Sequence, residues 1–114
     1  MRRALVIGIN DYPDAPLKGC VPDAKRVAEL LGNHWDGEPN FDIETVLVQT
    51  GGPTLGKRDL KELVSTLFEQ PADTALLYFS GHGTSTELGG FLVTPDAQAY
   101  DEGMSMSEVL ALAN

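Results

Sequence analysis

Apolar positions along the chain fall into short unbroken runs separated by stripes at helical spacing. Ala4-Leu5-Val6-Ile7-Gly8-Ile9 is a continuous apolar run of strand length, which suits a central strand covered on both faces. Asn10 to Gly19 holds two prolines and two aspartates and reads as a loop. Pro22 suits a first helical residue and Asp23 the positive end of a helix dipole. Val27, Leu30 and Leu31 mark the buried stripe of that helix, with Gly32 and Asn33 as its stop. Ile43, Val46, Leu47 and Val48 predict a second strand, and Gly51 to Thr54 a turn with Thr54 as a candidate helix cap. Leu60, Leu63, Val64, Leu67 and Phe68 give the clearest helical pattern in the chain, closed by Pro71. Thr74 to Phe79 predicts a third strand. A glycine-rich loop from Gly81 to Gly90 leads to a short strand at Phe91-Leu92-Val93, and Ser105 to Ala113 opens another helix.

The order β-α-β-α-β, with strands apolar on both faces, predicts a mostly parallel sheet flanked by helices on both faces. The chain stops in a helix with no sheet strand after it, an unfinished ending for an α/β domain. At 114 residues it fits one domain or part of one. No apolar run approaches the roughly 20 residues of a spanning helix. Met1-Arg2-Arg3 precedes an apolar stretch shorter than the roughly 7–15 residues of a signal core. A cytoplasmic protein is expected, with no membrane partner. Seventeen acidic residues against eight basic ones give a formal charge of −9. That balance argues against nucleic acid, whose phosphates need clustered Lys and Arg. The single cysteine, Cys20, excludes an internal disulfide and a multi-cysteine zinc site.

In open α/β sheets ligands bind beyond the carboxyl ends of the strands. Two predicted segments reach that edge: Asn10 to Asp23 and Ser80 to Gly90. The second reads Phe79-Ser80-Gly81-His82-Gly83-Thr84. A histidine between two glycines at a strand exit can meet a substrate, and histidine suits proton transfer near neutrality. The Gly83 N–H is free to approach a carbonyl oxygen, as oxyanion stabilisation requires. An ordinary glycine-rich turn accounts for the same residues, and the residues alone leave both readings open. His34, beside Trp35 after a helix stop, reads as a loop or helix-end residue.

Leu77-Tyr78-Phe79-Ser80-Gly81-His82-Gly83 resembles the catalytic-histidine motif of caspase-like cysteine peptidases. The opening Ala4 to Tyr12, followed by Leu17-Lys18-Gly19-Cys20-Val21-Pro22-Asp23-Ala24, resembles the metacaspase and bacterial caspase-like branch. The two motifs agree in order and separation, and the resemblance covers essentially the whole chain. It implies that residues 1–114 are the N-terminal, large-subunit portion of one caspase-like domain that lacks its C-terminal strands. It further implies that His82 is the general base and acid, and that the Gly83 N–H forms half of an oxyanion hole. Cys20, Asp23 and Ser80 fall on the walls of the primary specificity pocket, where a carboxylate selects Arg or Lys before the scissile bond. Asp23 also has a plainer role as a helix-start carboxylate. The nucleophile of the family lies on the next core strand in an Asp-x-Cys-like motif, and no cysteine follows His82 here. These residues alone are therefore expected not to cleave peptides, and the missing part of the domain or a second chain is an expected partner.

No cofactor is expected. Some metacaspases need calcium, for which Asp96, Asp101 and Glu102 are candidates, but the acidic cluster expected near the last helix reads Ser105-Met106-Ser107, and the question stays open. Gly81-His82-Gly83-Thr84 also resembles a subtilisin-like motif, yet Ser85 stands where a second histidine is usual and Asn10-Asp11-Tyr12 does not match the catalytic aspartate setting. The turn after the first strand carries no phosphate-binding glycine pattern. The remaining alternative is a non-catalytic caspase-like scaffold or regulator.

Overall fold

The computed structural model describes residues 1–114. Strand β1 (Arg2–Ile9) runs between β2 (Asp42–Val48) and β3 (Thr74–Ser80), parallel to both, so the sheet order is β2-β1-β3. Leu5 pairs with Glu44 on one side and Leu77 on the other. This central position explains the unbroken apolar run, because alternate residues of β1 enter two different cores. Leu5, Ile7 and Ile9 pack with Leu60, Val64 and Leu67 of α2 (Lys57–Glu69) and with Val109 of α3 (Met106–Ala113). Ala4 and Val6 face Ala24 of α1 (Cys20–Gly32) on the opposite side. The expected α/β architecture with helices on both faces is what the chain forms.

Helix boundaries shift slightly from the expected ones. Helix α1 begins at Cys20 rather than Pro22. Pro22 still lies in the first turn, where a missing N–H leaves nothing unpaired. Thr54 does not cap α2: Gly56 occupies that position and offers no side chain. The cap comes instead from across the molecule, where the Asp96 carboxylate accepts the Lys57 N–H at 3.1 and 3.2 Å. A carboxylate against the positive end of a helix is favourable. Ser105 caps α3, accepting the Glu108 N–H at 3.1 Å.

The segment from Gly81 to Gly90 is not the loop that its composition suggests. Strand β4 (Gly83–Thr86) turns through Glu87 and Leu88 into β5 (Gly89–Gln98), which pairs on with β6 (Asp101–Ser105). Gly89 has φ +107°, the conformation that lets the hairpin close. Strand β5 extends well beyond Phe91–Val93 and slips register between Val93 and Gln98. This small antiparallel sheet packs through Leu92, Val93 and Met104 into the α2–α3 core.

Helix α1 approaches β1 so closely that a Cβ on Gly8 would lie 2.6 Å from the Cys20 carbonyl oxygen and 2.6 Å from the Ala24 Cβ. Neither neighbour is a flexible side-chain end. Gly8→Ala is expected to cost about 1–3 kcal/mol through overpacking. Urea unfolding would show it as a lower midpoint at unchanged slope, and an unchanged midpoint would contradict the close approach.

Candidate functional site

Two arms leave the carboxyl edge of the parallel sheet. The first follows β1. Asn10 closes it: its carbonyl accepts the N–H groups of Tyr12 at 3.1 Å and Leu17 at 2.8 Å. The Asn10 side chain meanwhile accepts the Cys20 and Val21 N–H groups at 3.0 and 3.1 Å. These are among the donors that a helix start leaves without internal partners. One asparagine thus fixes both the loop and the first turn of α1, where Cys20 and Asp23 sit. The Cys20 thiol is free and half-buried, and Asp23 is exposed.

The second arm follows β3. Ser80 is its last residue, paired with Gly8, and it shares a face with Tyr78, which packs on the α1 side of the sheet. Cys20, Asp23 and Ser80 therefore lie on one face of the carboxyl edge, although no hydrogen bond joins them. His82 belongs to a different cluster. Its Nε2 lies 2.7 Å from the carbonyl oxygen of Ala15. A carbonyl only accepts, so Nε2 carries a proton, and in the neutral ring the lone pair lies on Nδ1. The imidazole is half-buried, and its centroid lies 4.4 Å from that of Tyr12 at an interplanar angle of 59°. No hydrogen bond links the Cys20 thiol to His82.

The hydroxyl of buried Tyr12 accepts the His82 N–H at 2.9 Å and donates to the Val93 carbonyl at 2.8 Å. The Val93 N–H completes the ring of contacts by donating to the His82 carbonyl at 2.9 Å. His82 and Val93 thus form a hydrogen-bonded pair of the antiparallel ladder, with a phenol inserted into one of its two bonds. Gly83 and Leu92 are the next pair, a non-hydrogen-bonded one. Because β4 is an edge strand, the Gly83 N–H points away from the sheet.

A cleft of about 450 Å³ opens beside this cluster, lined by Tyr12, Asp14, Ala15, His82, Thr94 and Asp96 among others. A smaller cavity of about 230 Å³ lies at the opposite end of the sheet near Arg3, Asp42 and Gln70, away from every candidate residue. Asp96 and Asp101 are already engaged. Asp96 caps α2 and accepts the Thr94 hydroxyl, while Asp101 pairs with the Lys57 ammonium. Glu102 accepts the Tyr100 N–H at 3.2 Å. No three His, Cys, Asp or Glu side chains converge as metal ligands.

The sequence singled out Cys20, Asp23, Ser80, His82 and Gly83, but gave no role to Tyr12, Asn10 or the Ala15 carbonyl. A tyrosine within an otherwise polar, proline-containing loop was the available signal for the first. A backbone carbonyl leaves no trace in residue type.

Fold and edge together define an open α/β domain whose polar site lies beyond the carboxyl ends of parallel strands. The chain belongs to the caspase domain family, which matches residues 1–111, and the family is of cysteine-peptidase type. It is 34% identical over 91 residues to metacaspase-1A of Neurospora crassa, covering 75% of this chain and 20% of that protein. It is 35% identical over 94 residues to metacaspase-1 of Eremothecium gossypii, covering 75% and 20%. Metacaspase-1 of Saccharomyces cerevisiae is 35% identical over 95 residues, covering 75% and 21%. The chain spans about a fifth of the length of these curated relatives. No helix is long and apolar enough to cross a membrane.

Burial pushes the Tyr12 phenol up to about 12, with the Cys20 thiol adding to the rise and the His82 N–H opposing it. Folding therefore favours the neutral phenol. Its contribution to stability is whole below the unfolded pKa of about 10 and is lost as pH rises through about 12. Phenolate absorbance on the folded chain should show one tyrosine ionising near 12. Titration of every phenol at or below about 10 would contradict its burial.

Proposed function

We propose that this chain is the histidine-bearing portion of a cysteine endopeptidase domain that cleaves after Arg or Lys. The observation that carries the reading is the contact of His82 Nε2 with the Ala15 carbonyl. A proton held on Nε2 leaves Nδ1 in the neutral ring as the base available to a thiol nucleophile. In this mechanism Nδ1 takes the thiol proton, the thiolate adds to the peptide carbonyl, and the outward Gly83 N–H supports the oxyanion. The imidazolium then gives its proton to the departing amine. Water, deprotonated by the same ring, hydrolyses the thioester and restores the thiol.

The nucleophile must come from outside these residues, since Cys20 is their one cysteine and is held at the start of α1. Strand β3 offers the place for it. Its outer edge is unpaired, and Leu76 to Ser80 are only half-buried, so it can accept a further strand from the same domain or from a second chain. Leu110 and Leu112 of α3 are likewise exposed. Cys20, Asp23 and Ser80 would line the pocket before the scissile bond, with Asp23 meeting the Arg or Lys charge. We place the domain in the cytoplasm, where the thiol stays reduced, without a nucleic-acid partner and without a calcium requirement, because Asp96 and Asp101 serve Lys57 and α2. A non-catalytic scaffold of the same fold is the second reading, favoured only by the lack of a second cysteine.

Fluorogenic peptides ending in Arg should show no turnover with residues 1–114 alone and clear turnover with the whole protein. There, His82→Ala should lower kcat by about 10²–10⁴-fold. Asp23→Asn should remove the preference for Arg over Asp before the scissile bond. A whole protein that is inert with a reduced thiol would favour the scaffold, and preference for an Asp-terminated peptide would remove Asp23 from the pocket.

A further inference from the structure

We propose that Tyr12 is a positioning residue that holds the orientation of His82 and, through it, the contact with Ala15 that fixes the tautomer. The inference rests on the reading of His82 as the working histidine of the site. The imidazole has one direct polar anchor, the Ala15 carbonyl, and Ala15 is carried on a loop three residues beyond Tyr12. The backbone of His82 is anchored on the same loop, because its N–H reaches Val93 only through the Tyr12 hydroxyl. Both ends of the histidine therefore refer to the segment from Asn10 to Leu17, which Asn10 closes.

The hydroxyl is used in full. It accepts one N–H and donates its single proton to one carbonyl, so the phenol must remain protonated for both bonds to stand. The ring adds a tilted contact against the imidazole that limits rotation about the His82 side-chain bonds. Space for this arrangement is made at Gly81. A Cβ there would collide with the Tyr12 hydroxyl oxygen and lie 3.1–3.2 Å from the edge of the Phe79 ring. Gly81 has no positive φ to account for it, so its glycine is explained by the phenol. An ordinary core tyrosine would need one partner for its hydroxyl. This one replaces a ladder bond beside the histidine that the site uses.

The test reads the ring itself in the 114-residue chain, which has two histidines, so that exposed His34 is the internal control. Nitrogen-15 spectra above the imidazole titration range should show His82 with widely separated ring shifts and its proton on Nε2. A cross-peak should join the Tyr12 hydroxyl proton to the His82 amide. In Tyr12→Phe, which keeps the ring and removes the hydroxyl, the Nε2–H to Nδ1–H ratio of His82 should fall by up to about fivefold, the worth of the Ala15 hydrogen bond that the phenol helps to hold. His34 should not move. Gly81→Ala, which displaces the hydroxyl but keeps the phenol, should shift His82 in the same direction. Unchanged His82 ring shifts in folded Tyr12→Phe would reduce Tyr12 to a packing residue and overturn the proposal. Should neither variant fold, the cross-peak in the unaltered chain decides, and its absence overturns the proposal. No peptide substrate enters the measurement, so an inert whole protein would sink the peptidase reading while the hold of Tyr12 on the His82 ring is judged by the spectra alone.

Discussion

A strand buried on both faces delivers its last residues to the sheet edge with their polar groups still to be satisfied, and the rest of this molecule is arranged around how β1 does so. Its side chains supply both cores and β2 and β3 occupy both of its edges, so the chain cannot turn back alongside it. It leaves through Asn10, whose N–H reaches the Val48 carbonyl at 2.8 Å while its carbonyl and side chain gather the loop and the first turn of α1. Buried backbone groups left unpaired would each cost about 1–3 kcal/mol. Concentrating several of them on one residue makes that residue the geometric origin of the site. Cys20, Asp23, Tyr12 and the Ala15 carbonyl are all placed by reference to it.

A second tie crosses the molecule at Asp96. Helix α2 has no side-chain cap of its own, and the carboxylate that serves it belongs to β5. The small antiparallel sheet is consequently fastened to the α2 N-terminus by a charge-assisted bond and by the neighbouring Lys57–Asp101 pair. Since β5 also carries Val93, the partner of His82, the position of the histidine is linked to the helix on the far side of the core. These ties add to the apolar contacts of Leu92, Val93 and Met104 that seat the small sheet on the core.

What the sequence makes legible follows the same division. The parallel sheet and its helices write themselves in apolar spacing, because β1 and α2 are held by burial. The small sheet does not. Thr84, Ser85 and Thr86 pair with a strand that begins Gly89-Gly90, and β6 opens with Asp101-Glu102-Gly103, so neither offers an apolar period. Gly103 sits at φ +155° with the Leu92 carbonyl where a Cβ would be, a demand of pairing geometry and not of local propensity. Thr54 misled as a helix cap for a related reason: the actual cap, Asp96, lies 39 residues from Lys57 in sequence. The resemblance named His82, Gly83 and Cys20 as candidates from their motifs alone. The groups that hold His82 were not legible, since a backbone carbonyl and a bridging phenol act through position alone.

The separation of the two clusters at the sheet edge bears on how such a site can be completed. Cys20, Asp23 and Ser80 stand on the α1 face, whereas His82 is drawn by Ala15 and Tyr12 toward the cleft that Asp14 and Asp96 border. A peptide that used both would have to cross the end of β3, the strand whose outer edge is free. A further parallel strand on that edge would bring its carboxyl end to the same edge of the sheet as both clusters. On the proposed reading, this is the edge where a nucleophile would meet a base at His82 and a pocket at Cys20, Asp23 and Ser80.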